Sequence, residues 1–271
     1  MQALPLRQAM RSGQRVYGTL VSAPATLWVG MTEGAALDFV FIDTEHIPND
    51  RQTLSWMCHA YRAIDLPPIV RVPEPDAYEA CKVLDGGAAG IIFPYTETIE
   101  QVRQLVGACR YRPLKGARLQ AALDDPQSLE PELRTYLEER NAGSIAVANI
   151  ESVPAIENLD ELLAIEGLDA VLIGPHDLSC SLGIPEQYDD PRFDQAVRTI
   201  FSKARAAGKG AGIHYFQEGL EAEVEWVKAG GNFIVHAGDV HFYRQTLQRE
   251  IDSLRKSLGD ERASDGDGVI I

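Results

Sequence analysis

The sequence has few cysteines and no long apolar run. Its four cysteines form no C-x-x-C pair or dense cluster, which excludes a disulfide framework and a zinc knuckle as expectations. No stretch approaches the roughly 18 apolar residues of a membrane helix, and the N terminus lacks the apolar segment of a signal peptide. We therefore expect an unprocessed, soluble, cytoplasmic protein that does not bind membranes.

Positive charge is also scarce. The chain has 25 Lys and Arg against 40 Asp and Glu, a formal net charge of -15. A surface with this excess of negative charge repels nucleic acid and favours discrete sites for small molecules. We therefore expect small-molecule partners and no nucleic acid.

The patterns of several catalytic classes are missing. No G-x-G-x-x-G follows a first strand, and no G-x-S-x-G nucleophile elbow occurs. A Schiff-base aldolase needs a lysine on a barrel strand, but every lysine falls in a helical or loop pattern. These lysines are Lys82, Lys115, Lys203, Lys209, Lys228 and Lys256. Chemistry based on a serine or lysine nucleophile is therefore disfavoured.

The chain does contain a repeated alternation of short apolar runs and amphipathic segments. The apolar runs are VYGTLV, DFVFID, PIVRV, GIIFP, SIAVANI, DAVLIG, GAGIHY and NFIVHA. Between most of them, apolar residues recur at the three- and four-residue intervals of helices. Eight parallel strands with right-handed helical crossovers close most economically into a (β/α)8 barrel of the TIM type. An open doubly wound sheet is the alternative.

Two segments interrupt this alternation. Residues 117–144 predict an irregular fourth strand, a long loop and an extra helix, which is one candidate for an active-site cover. We assign residues 1–258 to one barrel domain and residues 259–271 to an acidic, mobile tail. The helical pattern of residues 243–258 is a candidate for packing on a neighbouring subunit.

Ionisable residues follow the predicted strands at their C-terminal ends, where barrels of this kind build active sites. Asp43, Glu45 and His46 follow the second strand, Arg71 the third, Glu151 the fifth, Asp177 the sixth and His214 the seventh. Each alone has an ordinary interpretation as a helix cap, an ion pair or a loop histidine. Independent strand ends rarely all finish in catalytic residue types, so together they predict one site.

The carboxylates of Glu151 and Asp177 follow neighbouring predicted strands. Two carboxylates that approach one point repel each other unless a cation lies between them or one is protonated. Oxygen ligands favour Mg²⁺ or Mn²⁺, while Co²⁺ or Zn²⁺ could substitute. The pair therefore predicts a divalent metal site, with a protonated carboxyl as the alternative.

An ordered set of motifs resembles the HpcH/HpaI aldolases, which are related to the citrate lyase β-subunit and macrophomate synthase. The motifs are FVFIDTEHIPND, IVRVPEPDAYEACKVLDGGAAGIIFP, YRPLKGAR, VANIES and IGPHDLSCSLG, and the resemblance covers nearly the whole chain. It implies a metal-dependent class II aldolase that cleaves or forms 4-hydroxy-2-oxo acids from pyruvate and an aldehyde through an enolate. It also implies a homo-oligomer, often a hexamer built as a trimer of dimers, with the last helix exchanged or packed between subunits.

The resemblance also implies roles for individual residues. Glu151 and Asp177 would ligate the metal, Arg71 would contact the keto oxygen, and His46, supported by Asp43, would belong to the acid/base machinery. The backbone of Gly174, Pro175, His176 and Asp177 would bind the pyruvate carboxylate, while the His176 side chain is better interpreted as a surface histidine. Asn149, where many relatives have Gln, and His214 are expected to line the substrate pocket.

Two other functions stay open at this stage. An oxaloacetate decarboxylase or a lyase of CoA thioesters could use the same metal-enolate site, although the sequence shows no basic groove for CoA. A non-catalytic barrel that serves as a binding module would retain no metal.

Overall fold

Eight parallel strands alternate with helices in a computed structural model that describes residues 2–217 and 219–260. The strands are β1 Val16–Leu20, β2 Phe39–Asp43, β3 Pro68–Arg71, β4 Gly90–Phe93, β5 Ile145–Asn149, β6 Ala170–Ile173, β7 Gly210–Tyr215 and β8 Phe233–Gly238. Each strand pairs with the next, and β8 pairs with β1, so the sheet closes into a barrel. The predicted (β/α)8 barrel is confirmed.

The helices form the outer layer of the barrel. They are α1 Ala3–Ser12, α2 Thr26–Thr32, α3 Arg51–Ala63, α4 Ala77–Asp85, α5 Ile99–Arg110, α6 Gly116–Asp124, α7 Pro131–Asn141, α8 Val153–Glu157, α9 Leu159–Ala164, α10 Pro175–Ser181, α11 Pro191–Ala206, α12 Glu221–Lys228 and α13 Asp239–Leu258. Helix α5 begins with a capping box, in which the Thr98 and Gln101 side chains satisfy backbone N–H groups. Among the described residues, no helix is long and apolar enough to cross a bilayer.

The barrel interior is filled by apolar side chains that alternate along the strands with residues facing the helices. Phe39, Phe41, Val147 and Phe233 belong to this inner cluster. Helix α1 contributes Leu6 and Met10 to the same cluster and closes the N-terminal end of the barrel. A larger cluster lies between the strands and the outer helices. The opposite, C-terminal end stays open for polar side chains.

Residues 117–144 hold no strand, so the prediction of an irregular fourth strand here is wrong. They form most of α6, a short 3₁₀ turn and α7, while the fourth strand is β4. Leu119 and Leu123 lie one turn apart on α6 and face Gly107 of α5. The 3.6-residue spacing of apolar positions therefore decides the helical conformation. These contacts pack α6 against α5, and a role of this segment as an active-site cover stays a prediction.

Helix α13 is unusual because none of its 20 residues is buried. Leu247, Ile251, Leu254 and Leu258 on this helix are all exposed. Gly259 ends the helix in the left-handed conformation, with φ of 78°. Residues 261–271 of the predicted tail lie outside the described residues, and the boundary at residue 258 stays a prediction.

Candidate active site

The residues predicted from the strand ends lie at the C-terminal end of the barrel. Asp43, Arg71 and Asn149 are the last residues of β2, β3 and β5, Glu151 follows β5, Asp177 lies in the first turn of α10 after β6, and His214 lies near the end of β7. The strands are parallel and closed, so these ends share one rim.

Arg71 is held against Asp43 by two parallel hydrogen bonds. The two residues are direct partners in the β2–β3 register. Arg71 Nε and Nη2 donate to the Asp43 carboxylate oxygens over 2.9 and 2.6 Å. Burial alone would raise the pKa of Asp43, but the hydrogen bonds and charge of Arg71 lower it below its ordinary value. Asp43 therefore stays ionised and fixes the guanidinium group.

That Asp43 supports His46 stays a prediction, since the hydrogen bonds of the Asp43 carboxylate involve other groups. The oxygens of Asp43 accept hydrogen bonds from Arg71 and from the Glu45 backbone N–H. The carboxylate beside His46 belongs to Glu45, whose Oε2 lies 3.7 Å from His46 Nε2 and 3.1 Å from Arg71 Nη1. Glu45 thus lies between the guanidinium group and the imidazole.

The environment of Glu45 raises the pKa of its carboxyl group. Burial and the nearby Asp43 and Asp177 carboxylates raise the pKa of Glu45, although Arg71 partly offsets them. The His46 side chain is 44% exposed, so solvent reaches the imidazole. Glu45 and His46 therefore link the rim to solvent.

Glu151 is a buried carboxylate with only neutral hydrogen-bond donors. It is 1% exposed. Its Oε1 accepts from the Tyr95 N–H over 2.6 Å, and its Oε2 accepts from Asn149 Nδ2 over 3.0 Å. Burial raises the pKa of Glu151 to about 7, with a further contribution from Asp177, against the opposing effects of Tyr95, Arg71 and Asn149. Such a group gains from a nearby cation.

Gly174 packs closely against the Glu151 carboxylate, near Asp177. A Cβ atom at this position would lie 1.9 Å from Glu151 Oε2 and 3.7 Å from Asp177 Oδ2. A side chain at position 174 would therefore clash with Glu151, so glycine lets this carboxylate lie close to the backbone, with the Asp177 carboxylate nearby.

The carboxylate oxygens of Glu151 and Asp177 are ligands that suit a hard divalent cation. Mg²⁺ is commonly bound through one or two carboxylates and keeps several waters. In the described parts of the chain, no group of three or more His, Cys, Asp and Glu side chains is arranged to hold a metal. The site is thus suited to two carboxylates plus water and substrate, and unsuited to a four-ligand zinc centre.

Asn149 and His214 line the same rim. Asn149 is 1% exposed, and its Oδ1 has no hydrogen-bond partner among the described residues. His214 Nε2 lies 3.0 Å from the Ala237 carbonyl oxygen, and burial lowers the pKa of His214 to about 4. The His214 imidazole is therefore neutral near pH 7 and bears its proton on Nε2, and the orphan oxygen of Asn149 is an open acceptor for a bound molecule.

Helix α10 follows β6 directly, so its first turn lies on the rim. Pro175 is buried at its first position, and no described side chain caps its N terminus. The His176 side chain is 58% exposed and lies 3.7 Å from Glu186, which agrees with a surface histidine. The carboxylate site on the backbone of Gly174, Pro175, His176 and Asp177 stays a prediction, to which Pro175 contributes no N–H donor.

Two features of the site escaped the sequence prediction. The Tyr95 N–H that binds Glu151 has no sequence signature, because a backbone donor is common to every residue except proline. The close contact of Glu151 with Gly174 could have been predicted, since a glycine between a buried strand and a Pro-initiated helix indicates that another group approaches the backbone there.

The sequence profile of the HpcH/HpaI aldolase/citrate lyase family matches residues 21–245. The chain belongs to this family. A 2-keto-3-deoxy-L-rhamnonate aldolase of Salmonella gallinarum is 31% identical over 91% of both chains. The prediction of an aldolase, a carbon–carbon lyase, is confirmed by these matches.

Solved structures of the family have the same barrel. The structure of the citrate synthase SbnG is 32% identical, with a TM-score of 0.79 over 95% of this chain and 100% of that one. An HpcH/HpaI aldolase/citrate lyase family protein of Burkholderia cenocepacia J2315 is 26% identical, with a TM-score of 0.79 over 93% of this chain and 99% of the other. The family thus includes relatives named for both cleaving and joining carbon chains.

Proposed function

We propose that this HpcH/HpaI family member is a divalent-metal-dependent aldolase that cleaves or forms 4-hydroxy-2-oxo acids from pyruvate and an aldehyde. The observation that carries the proposal is the pair of carboxylates of Glu151 and Asp177, which lie close together beside Gly174. Arg71 lies on the same rim, where Asp43 fixes it. Two carboxylates beside an anchored guanidinium group suit a substrate that carries both a carboxylate and a keto oxygen.

Glu151 and Asp177 would hold the cation, with Mg²⁺ or Mn²⁺ as the preferred ions and Co²⁺ or Zn²⁺ as substitutes. When bound, the cation polarises the keto oxygen of a 2-oxo acid and makes its C3 proton acidic. Asn149 orients Glu151 through its amide and leaves its own oxygen free for substrate.

Arg71 would stabilise the negative charge that develops on the keto oxygen as the enolate forms. Asp43 keeps the guanidinium group in one orientation, so little reorganisation is needed during the reaction. The backbone N–H groups at the start of α10 would bind the pyruvate carboxylate. Together these groups would fix the substrate plane before proton transfer.

His46 and Glu45 would handle the protons. In the cleavage direction, His46 would take the proton of the 4-hydroxyl group, the C3–C4 bond would break, and the electron pair would remain on the enolate. A proton returned to C3 would give pyruvate. Asp43, and Glu45 at 3.7 Å from His46, would orient the imidazole. His214 would form a neutral wall of the aldehyde pocket.

The test is a cleavage assay on a set of 4-hydroxy-2-oxo acids that differ in the aldehyde portion. Released pyruvate is measured by reduction to lactate, with Mg²⁺ or Mn²⁺ and with EDTA. We expect metal-dependent release from at least one compound, lost in Glu151→Gln and kept in Glu186→Gln, which changes an exposed carboxylate of the α10–α11 loop. Release that EDTA leaves unchanged would contradict the proposal.

The citrate synthase relative favours one second candidate function, condensation of a 2-oxo acid with a CoA thioester. It would use the same carboxylates and Arg71, because both reactions pass through an enolate. Incubation with oxaloacetate and acetyl-CoA distinguishes the two. Release of free CoA without any cleavage of 4-hydroxy-2-oxo acids would favour the synthase, and decarboxylation of oxaloacetate alone would favour a decarboxylase.

We also propose a cytoplasmic homo-oligomer, a hexamer built as a trimer of dimers, in which α13 packs on a neighbouring subunit. The support is the apolar stripe of Leu247, Leu254 and Leu258, which is exposed on a helix without buried residues. Leu247→Glu with Leu254→Glu should lower the molar mass measured by light scattering, while Gln248→Glu on the same helix should not. An unchanged mass in the double variant would contradict the role of α13.

A further inference from the structure

The turn between β4 and α5 contains an unusual backbone conformation. Tyr95 has φ of 44°, in the left-handed region that residues with a Cβ atom avoid. Such strain persists only where the surroundings hold it, and it concentrates at functional sites. The question is what the protein gains from an aromatic residue in this conformation.

Hydrogen bonds on both sides of Tyr95 hold the turn in place. Thr96 is fully buried. Its Oγ1 donates to the Phe93 carbonyl over 3.1 Å, and its N–H donates to the Asn149 carbonyl, also over 3.1 Å. Ser152 Oγ donates to Glu97 Oε1 over 2.6 Å, so the turn is tied to β5 and to the segment that follows it.

Two consecutive N–H groups of this turn point at the same strand end. The Thr96 N–H binds the backbone of Asn149, and the Tyr95 N–H binds the Glu151 side chain over 2.6 Å. Successive backbone N–H groups in such a conformation form a concave site that favours an anion. A Tyr95 φ in the ordinary right-handed or extended region would rotate the peptide groups and lose this pairing.

We propose that Tyr95 is a positioning residue whose left-handed backbone, and not its phenol ring, aims the N–H that orients Glu151 for a divalent cation. The inference rests on the proposed function, in which Glu151 is a metal ligand. With Oε1 bound to Tyr95, Oε2 lies against Gly174, on the side where the Asp177 carboxylate is also close. The ring is 45% exposed, in keeping with a contribution that comes from the backbone.

The test is a series of substitutions ranked by their tolerance of the left-handed region. Mn²⁺ affinity is measured on the complete protein from the electron paramagnetic resonance signal of the free ion. We expect Tyr95→Gly and Tyr95→Asn to bind like the wild type, because glycine and asparagine accept positive φ. Tyr95→Ala should bind more weakly, and Tyr95→Val should lose about tenfold, as is typical when a partner of a metal ligand is disturbed.

A matched control separates positioning from general strain. Ala36 also has a positive φ, of 56°, in an exposed turn before β2. Ala36→Val should lower the midpoint of thermal unfolding but leave Mn²⁺ affinity unchanged. If Tyr95→Val does not fold, the contrast of Tyr95→Ala with Tyr95→Gly and Tyr95→Asn carries the same information.

The outcomes distinguish this inference from the proposed function. The inference is overturned alone if Glu151→Gln loses Mn²⁺ while the Tyr95 series binds uniformly. It is also overturned if Tyr95→Phe keeps affinity while Tyr95→Gly and Tyr95→Asn are as weak as Tyr95→Val, because the ring would then be responsible. Binding by Glu151→Gln as tight as wild type would overturn the metal assignment and the positioning role together.

Discussion

Asp169 at the N-terminal end of the barrel and Glu151 at the C-terminal end are buried carboxylates in opposite surroundings. At the N-terminal end, Asp169 is fully buried just before β6. It accepts hydrogen bonds from Arg7 Nε over 2.8 Å, from Arg11 Nη1 over 3.3 Å, from Arg110 Nη2, and from the Ala146 N–H over 2.9 Å. At the C-terminal end, Glu151 receives only a backbone N–H and an amide.

This difference separates a structural end of the barrel from a reactive one. Three guanidinium groups compensate the charge of Asp169 and join α1, α5 and β6. Glu151 lacks such a partner, and the Asn149 Oδ1 beside it is unpaired among the described residues. A buried acceptor that the protein leaves unsatisfied is costly, so it marks a place for a ligand. Substitutions at the two ends should therefore affect different properties.

The largest effect is expected for Glu151→Gln and Asp177→Asn. Each should lower kcat/KM by on the order of 1,000-fold, since a bound cation supplies several kcal/mol of charge stabilisation. The midpoint temperature of thermal unfolding in EDTA should not be lower for Glu151→Gln than for the wild type, because the substitution removes a poorly compensated buried charge. A steady-state assay with circular dichroism of the same samples checks both. If Glu151→Gln instead unfolds or is strongly destabilised, Glu151 is needed for stability and the C-terminal end has a structural role as well.

Asp169→Asn should show the reverse behaviour. The free energy of unfolding should fall by about 3 kcal/mol, because three cations lose their buried partner. Turnover per folded molecule should stay close to wild type, since the change lies at the far end of the barrel. Urea unfolding and a steady-state assay measure the two quantities. Loss of activity without loss of stability would break the distinction between the ends.

Protonation of Glu151 has a smaller effect, which depends on pH, on the free energy of unfolding. The pKa of Glu151 rises from 4.5 to about 7 on folding, so the stabilisation present at low pH is lost as pH rises. His214 acts in the opposite sense, because its pKa falls from 6.5 to about 4. The difference between the unfolding free energies of the wild type and Glu151→Gln isolates the contribution of Glu151.

In EDTA, this difference in unfolding free energy should decrease by about 2 kcal/mol between pH 5 and pH 7. A difference that stays constant over this range would show that Glu151 titrates at its ordinary pKa.

The smallest effect is expected for Arg11→Ala. The Arg11 side chain is 38% exposed, and Asp169 keeps Arg7 and Arg110. A loss below about 1 kcal/mol is expected for such a partly solvated pair. Urea unfolding of Arg11→Ala and of Asp169→Asn under the same conditions gives the two losses of unfolding free energy for comparison. A loss equal to that of Asp169→Asn would mean that the cluster acts only as a whole.

Much of the barrel was predictable, because buried parallel strands have a distinctive composition. DFVFID and DAVLIG mark β2 and β6 to within about two residues, since such runs fit a strand covered on both faces. Helix α10 was missed because its seven residues are too few to show a period. Residues 153–167 predicted one helix, but Asn158 separates α8 from α9.

The types of residue at the site were more predictable than their partners. Parallel strand ends bring Asp43 and Arg71 together by register alone. The sequence could not show that Arg71 makes two hydrogen bonds to Asp43, because this pairing depends on side-chain geometry. Nor could the sequence show that the Tyr95 N–H donates to Glu151, since the direction of a backbone N–H depends on φ and ψ.

The most direct measurement of the central claim is proton NMR of pyruvate in D₂O with the purified protein. Enolisation precedes every aldol reaction of pyruvate, so this experiment requires no knowledge of the aldehyde. We predict loss of the methyl signal with Mg²⁺ or Mn²⁺, suppressed by EDTA and by Asp177→Ala, and retained in Asp169→Asn. A methyl signal that persists with every divalent metal would contradict an enolate site between Glu151, Asp177 and Arg71.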